Sequence, residues 1–218
     1  MFIRAIAALG LAIGLPAAAQ SAPISDFTGL EVSLSTSATF AFGNPTTLAS
    51  VAPASDTATI GAGNEFQVEV TLGSATGLLN IDFDPSGVVA LRPVNPFDLR
   101  IGTSGLPLPI NINLEFSFID PNVVITDAVL GAGQPTDGSL ELSGPDPFTV
   151  VLSPQFRPAR FPPGSFVGVL AIEEELGPIT ITAETQDVAG PGSLALFLSG
   201  LTGLALARRR RIGLLSMT

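Results

Sequence analysis

Ile110-Asn-Ile-Asn-Leu-Glu-Phe-Ser-Phe118 decides the fold of this chain. Its apolar residues Ile110, Ile112, Leu114, Phe116 and Phe118 fall on every second position, with Asn111, Asn113, Glu115 and Ser117 between them. Side chains of an extended strand alternate between faces, so this segment reads as a strand with one buried and one wet side. Phe66-Gln-Val-Glu-Val-Thr-Leu72 repeats the design, as do Ile179–Ala183 and, in part, Phe148–Leu152. Further strands are expected at Leu30–Leu34, Thr39–Phe42, Leu78–Phe83, Val88–Leu91, Val123–Val129, Leu140–Leu142 and Phe166–Ile172. Turn signals separate them, among them Gly61-Ala-Gly-Asn64, Asp84-Pro-Ser-Gly87 and Asp137-Gly138, leaving little room for a helix of ordinary length. The Pro-rich stretch Ser153–Gly164 reads as a long loop. Many short strands with Gly/Pro punctuation predict an all-β fold, a single β-sandwich.

Composition narrows the chemistry. The chain has no His, Cys, Lys, Tyr or Trp. That excludes disulfides, imidazole or thiolate metal sites, Ser-His-Asp and Cys-His catalysis, Schiff-base lysines and a phosphate-loop lysine. Carboxylates, hydroxyls and arginine remain, so the chain is read as a non-enzyme. All 19 acidic residues lie in residues 20–187, against the four arginines Arg92, Arg100, Arg157 and Arg160, a net charge of −15 there. Such a body repels nucleic acid and anionic membranes.

The ends differ from the body. Residues 1–19 carry Arg4, an apolar run Ala5–Leu15, Pro16 and an Ala17-Ala18-Ala19 site, the layout of a secretory signal peptide cut after Ala19. Export through the Sec machinery follows as an expectation. Residues 188–218 begin Val188-Ala-Gly-Pro191-Gly192-Ser, continue as an uncharged run Ser193–Ala207, and reach Arg208-Arg209-Arg210-Arg211. As a helix that run spans about 22 Å at 1.5 Å per residue. Counted from Val188 it has 20 residues, the length a membrane span needs. Four arginines behind it belong on the cytoplasmic side, which places the body outside.

This three-part tail resembles the PEP-CTERM sorting signal. That family combines a Val-Pro-Glu-Pro-like motif, an apolar helix and a basic cluster, and a membrane peptidase of the exosortase type is thought to recognise it. Val188 and Pro191 match the motif, whereas Ala189 and Gly190 stand in place of its first Pro and its Glu. Tripartite tails with Gly-rich motifs, read by rhomboid-type proteases, are an alternative, as is a permanent anchor. The resemblance implies a substrate of a sorting peptidase, held transiently in the inner membrane and released to the cell surface or matrix. It also implies a structural or adhesive role beside exopolysaccharide, in a biofilm setting. In the body, Gly63, Phe66, Val68 and Val70, followed by Asp84-Pro85-Ser86, resemble cohesin-type sandwiches. That implies a jelly-roll or Ig/cohesin-like arrangement, flanked by the N-terminal signal helix and the C-terminal membrane helix.

Two carboxylate clusters remain. Asp82-Phe-Asp84-Pro-Ser86-Gly87 matches the opening of a calcium loop, because alternate acidic residues before a Gly turn can converge oxygens on a hard cation. Its twelfth position is Pro93 where such loops carry Glu. Asp120, Asn122 and Asp127 could add ligands if the fold brings them near. Glu173-Glu174-Glu175 reads as a solvated strand end, or a second weak cation site. A calcium-dependent carbohydrate-binding module and a carboxylate-pair glycosidase are the alternatives. Sugar sites commonly use Trp or Tyr platforms, which this chain lacks.

Overall fold

The quoted stretch forms a single strand with the expected boundaries, and most of the molecule can be built around it. A computed structural model of the protein describes residues 21–40, 48–105, 107–144 and 146–186. The expected signal peptide and sorting tail lie outside them, as do Ala17, Ala19, Val188, Pro191, Gly192 and Arg208–Arg211. Among the described residues no helix is long and apolar enough to cross a membrane. Pro23–Thr185 form one compact unit, described below.

The described residues form fifteen strands. They are β1 Ser21–Pro23, β2 Glu31–Phe40, β3 Ala49–Ala52, β4 Ser55–Thr59, β5 Phe66–Leu72, β6 Ala75–Asp84, β7 Val88–Pro93 and β8 Phe97–Ser104. The chain continues with β9 Ile110–Phe118, β10 Val123–Leu130, β11 Ser139–Ser143, β12 Phe148–Ser153, β13 Gln155–Pro158, β14 Ser165–Ile172 and β15 Leu176–Gln186. Sheet A runs β15-β7-β6-β5-β3, with β10 also pairing β15; sheet B runs β11-β12-β9-β2-β4; a small sheet C runs β13-β14-β8. The fold is all-β and sandwich-like.

Alternation explains why the sheets stack. On β9 the side chains of Ile110, Ile112, Leu114 and Phe116 are buried, and on β5 those of Phe66, Val68, Val70 and Leu72. Phe116 of sheet B meets two rings of sheet A, Phe83 at 5.4 Å edge-on and Phe66 at 6.4 Å. It also stacks at 5.0 Å on Phe148, its neighbour across the β9–β12 ladder. Each such ring pair adds about 0.5–1.5 kcal/mol beyond the area it buries. Phenylalanine therefore supplies the aromatic core that Trp and Tyr cannot.

Sheet C is held by aromatic rings lying on glycines. A Cβ built on Gly77 of β6 would stand 2.6 Å from the Phe97 ring, and one on Gly168 of β14 2.6 Å from the Phe156 ring. Only glycine admits such an approach.

Several expectations need adjusting. Leu30–Leu34 and Thr39–Phe42 belong, as far as the described residues go, to one long strand, β2. Ser153–Gly164 is not all loop: Gln155–Pro158 pair with Val169–Phe166 as β13. That strand has no periodic signal of its own and forms because β14 offers it an open edge. β3, β4 and β8 were likewise not expected.

Candidate functional site

Sheet A carries a shallow groove of about 250 Å³ on its outer side, lined by Asp82, Asp84, Ser86, Val88, Ala90, Arg92 and Glu175. The β6–β7 hairpin builds most of it. Its register sets Asp82 opposite Ala90 and Asp84 opposite Val88, so two small apolar residues form the floor beside two carboxylates. The hairpin closes at Asp84-Pro-Ser-Gly87, where the Gly87 N–H donates to the Asp84 carbonyl (2.9 Å). The Ser86 N–H donates to Asp84 Oδ1 (2.8 Å). Hydrogen bonds from the Ser86 side chain and backbone hold the Asp84 carboxyl below its ordinary pKa. Gly87 is required here. Its φ is +85°, and a Cβ would lie 2.8 Å from the Phe27 ring and 2.9 Å from the Ile181 carbonyl.

Arg92 bridges the far end of the groove. Its Nη1 donates to Asp82 Oδ2 and its Nε to Glu175 Oε2, both at 2.6 Å. Hydrogen bonds to Glu175 and then to Asp82 raise its already high pKa further. The groove thus gathers the calcium-loop residues Asp82, Asp84 and Ser86 with the last residue of the Glu173–Glu175 run. A guanidinium stands between two of its carboxylates, and calcium shared by Asp82 and Glu175 would have to displace it. Among the described residues no group of three or more acidic side chains is arranged to hold a metal ion. Asp120 is engaged in its own turn, accepting from the Asn122 N–H (2.9 Å) and Nδ2 (2.8 Å), and neither it nor Asp127 lines the groove.

Arg92 is the groove residue that sequence reasoning left without a role. The signal was available. An Asp-Pro-Ser-Gly turn implies the hairpin register, and that register sets Arg92 opposite Asn80, two residues along the strand from Asp82 and on the same face.

The outer side of sheet B has another character. It presents Ser33, Ser35, Ser37 and Thr39 from β2, Asn111, Asn113, Glu115 and Ser117 from β9, and Thr149, Val151 and Ser153 from β12. Ser55, Thr57 and Thr59 of β4 extend it on one side through the β2–β4 register. The side chains bond to one another across the strands. Ser33 Oγ lies 2.8 Å from Ser117 Oγ, Ser153 Oγ donates to Asn111 Oδ1 (2.8 Å), and Asn113 Nδ2 donates to Ser37 Oγ and Thr39 Oγ1 (3.3 Å each). Arg92, Arg100 and Arg157 sit on β7, β8 and β13, so the strands of sheet B carry no cation. The result is an array of short polar groups, about 4.8 Å apart from strand to strand.

No family model, curated protein or solved structure matches this chain.

Proposed function

We propose that this is an exported cell-surface or extracellular-matrix protein of structural or adhesive type. The outer side of sheet B carries the reading. Short Ser, Thr and Asn side chains lose little rotamer freedom when they are covered. Their mutual hydrogen bonds hold them in place beforehand, and preorganisation lowers the cost of binding. A surface of hydroxyls and amides with a few carboxylates and no cation suits a neutral hydrated polymer, such as an uncharged exopolysaccharide, and disfavours an anionic one.

Delivery rests on the two ends of the sequence. A signal peptide for Sec export, with Ala17 and Ala19 at the cleavage site, is paired with a PEP-CTERM-like tail. In that tail Val188, Pro191 and Gly192 form the motif read by an exosortase-type peptidase, and Arg208–Arg211 form the basic stop. The body is held outside the inner membrane, cut free near Pro191 and released to the envelope surface. Within the sandwich class we assign the body to the jelly-roll or Ig/cohesin-like group, supported by two antiparallel sheets packed over a shared core.

Mass spectrometry of the protein recovered from the producing cells tests delivery. The expected termini are Gln20 and a residue near Pro191; a mature peptide running intact through Leu194–Arg208 would refute cleavage. Co-sedimentation with an insoluble neutral glycan tests adhesion. Retention on the neutral glycan and none on an anionic one is expected, and no retention on either rejects the adhesive role.

A further inference from the structure

Both the groove of sheet A and the hairpin loop joining β13 to β14 carry charge or apolar surface that nothing among the described residues answers. The loop holds Arg160 and Phe161, and Phe161 is 86% exposed, the most exposed large apolar residue described. Arg92, Arg100 and Arg157 are each ion-paired, to Asp82 and Glu175, Asp98 and Asp137 respectively. Arg160 alone among the described arginines has no carboxylate partner. At the groove the imbalance is reversed. Asp84 bonds only to its own turn, and Glu173 and Glu174, next along the chain from Glu175, are exposed and unpaired.

Shape agrees with charge. The groove floor is apolar, Val88 and Ala90, and an apolar cavity of about 150 Å³ is enough to hold a benzene molecule. The groove, about 250 Å³ and open to solvent, gives a phenyl ring room to lie on that floor. An aromatic with a neighbouring arginine matches a small apolar floor with acidic walls.

Placement decides which copy supplies the partner. The loop is tied to the start of β14, since the Ala159 N–H donates to the Ser165 carbonyl (2.7 Å) and the Gly105 N–H to the Gly164 carbonyl (3.1 Å). Glu175 follows the other end of the same strand, three residues beyond Ile172. Eight extended residues separate the two features by roughly 25 Å. A chain cannot fill its own groove.

We propose that this chain associates head to tail with further copies of itself, Phe161 of one copy entering the groove of the next and Arg160 facing Asp84 and the Glu173–Glu174 pair. Knob and socket are different surfaces at opposite ends of a strand, so the contact is heterologous and propagates as a filament unless the rotation closes a ring. This goes beyond the adhesive reading and holds whether or not the tail is cut.

The absence of cysteine allows a direct test in the full chain. Three variants are needed that keep the knob and the groove floor: Pro163→Cys, Ser86→Cys and the double variant, each checked for an unchanged melting temperature and then oxidised. The double variant is expected to give a ladder of dimers, trimers and higher species on a non-reducing gel. The two single variants mixed should give dimers only, and Pro163→Cys alone at least tenfold fewer. Adding Arg160→Glu to the double variant should reduce the ladder severalfold. No ladder, or single variants that cross-link alone as efficiently as the mixture, overturns the proposal. Intact delivery with no ladder removes the filament and leaves the exported, adhesive reading standing.

Discussion

The outer sides of sheets A and B rest on one interior yet are finished differently. The outer side of sheet B is mainly hydroxyls and amides, with Glu31, Glu115 and Glu141 among them, and several of its polar groups bond to one another. The β6–β7 side of sheet A carries a shallow groove with acidic walls and an arginine bridging one end. An array of hydroxyls and amides repeats similar chemistry from strand to strand and suits a long uniform polymer. A charged groove suits a single side chain. On the proposals above, one small domain would offer an extended contact surface on one sheet and a point contact on the other.

That contrast presupposes the shared interior, so the largest effect should come from its centre. Phe116→Ala removes the ring that touches Phe66, Phe83 and Phe148, and should cost about 3–5 kcal/mol in chemical denaturation. Both outer sides should be lost together. Gly87→Ala should break the groove side alone, because it forces a Cβ against Phe27 at a positive φ. A loss of about 1–3 kcal/mol is expected, measurable as a lower melting temperature.

Smaller changes sharpen the comparison. Arg92→Ala leaves Asp82 and Glu175 without their cation. Since the pair members are partly exposed, the cost should be at most about 1 kcal/mol and should shrink in salt. Asn113→Ala on sheet B should fall within about 0.5 kcal/mol and be insensitive to salt. Salt titrations of the two variants therefore distinguish the sides.

The smallest difference is one of pH. Asp84 is held below its ordinary pKa in the folded state, so its contribution is present above the unfolded carboxylate value, about 3.9. It is lost as the pH falls through the lowered folded value. The melting temperatures of the wild type and Asp84→Ala should differ slightly at neutral pH and converge in acid. Ser33→Ala on sheet B removes no titrating group, and its offset should stay constant.

Much of this was readable beforehand. Where one side of a strand is buried and the other wet, the period of two is written directly into the residues, and β9 and β5 have the boundaries expected of them. β8 carries the same signal in Phe97, Leu99 and Ile101, but Pro93, Pro96, Pro107 and Pro109 around it read as loop. β3, β4 and β13 were not readable in this way. Each is four or five residues long, and each forms because a neighbouring strand offers unpaired backbone groups.

The candidate site divides along the same line. Asp82, Asp84 and Ser86 stood out because their spacing is local, and local spacing survives folding. Glu175 reaches them from 83 residues beyond Arg92, through the β15–β7 pairing that returns the end of the body to its middle. By itself the sequence determined an all-β body, its inward and outward residues, its acidity and the distinct character of its ends, since these follow from composition and short-range periodicity. Only the tertiary structure decided which outward residues share a surface. It alone put an arginine between Asp82 and Glu175, and an unpaired Arg160 with an exposed Phe161 at the opposite end of β14 from the groove. The physical reason is that strand pairing joins residues far apart in the chain, and no local pattern states which strands will meet.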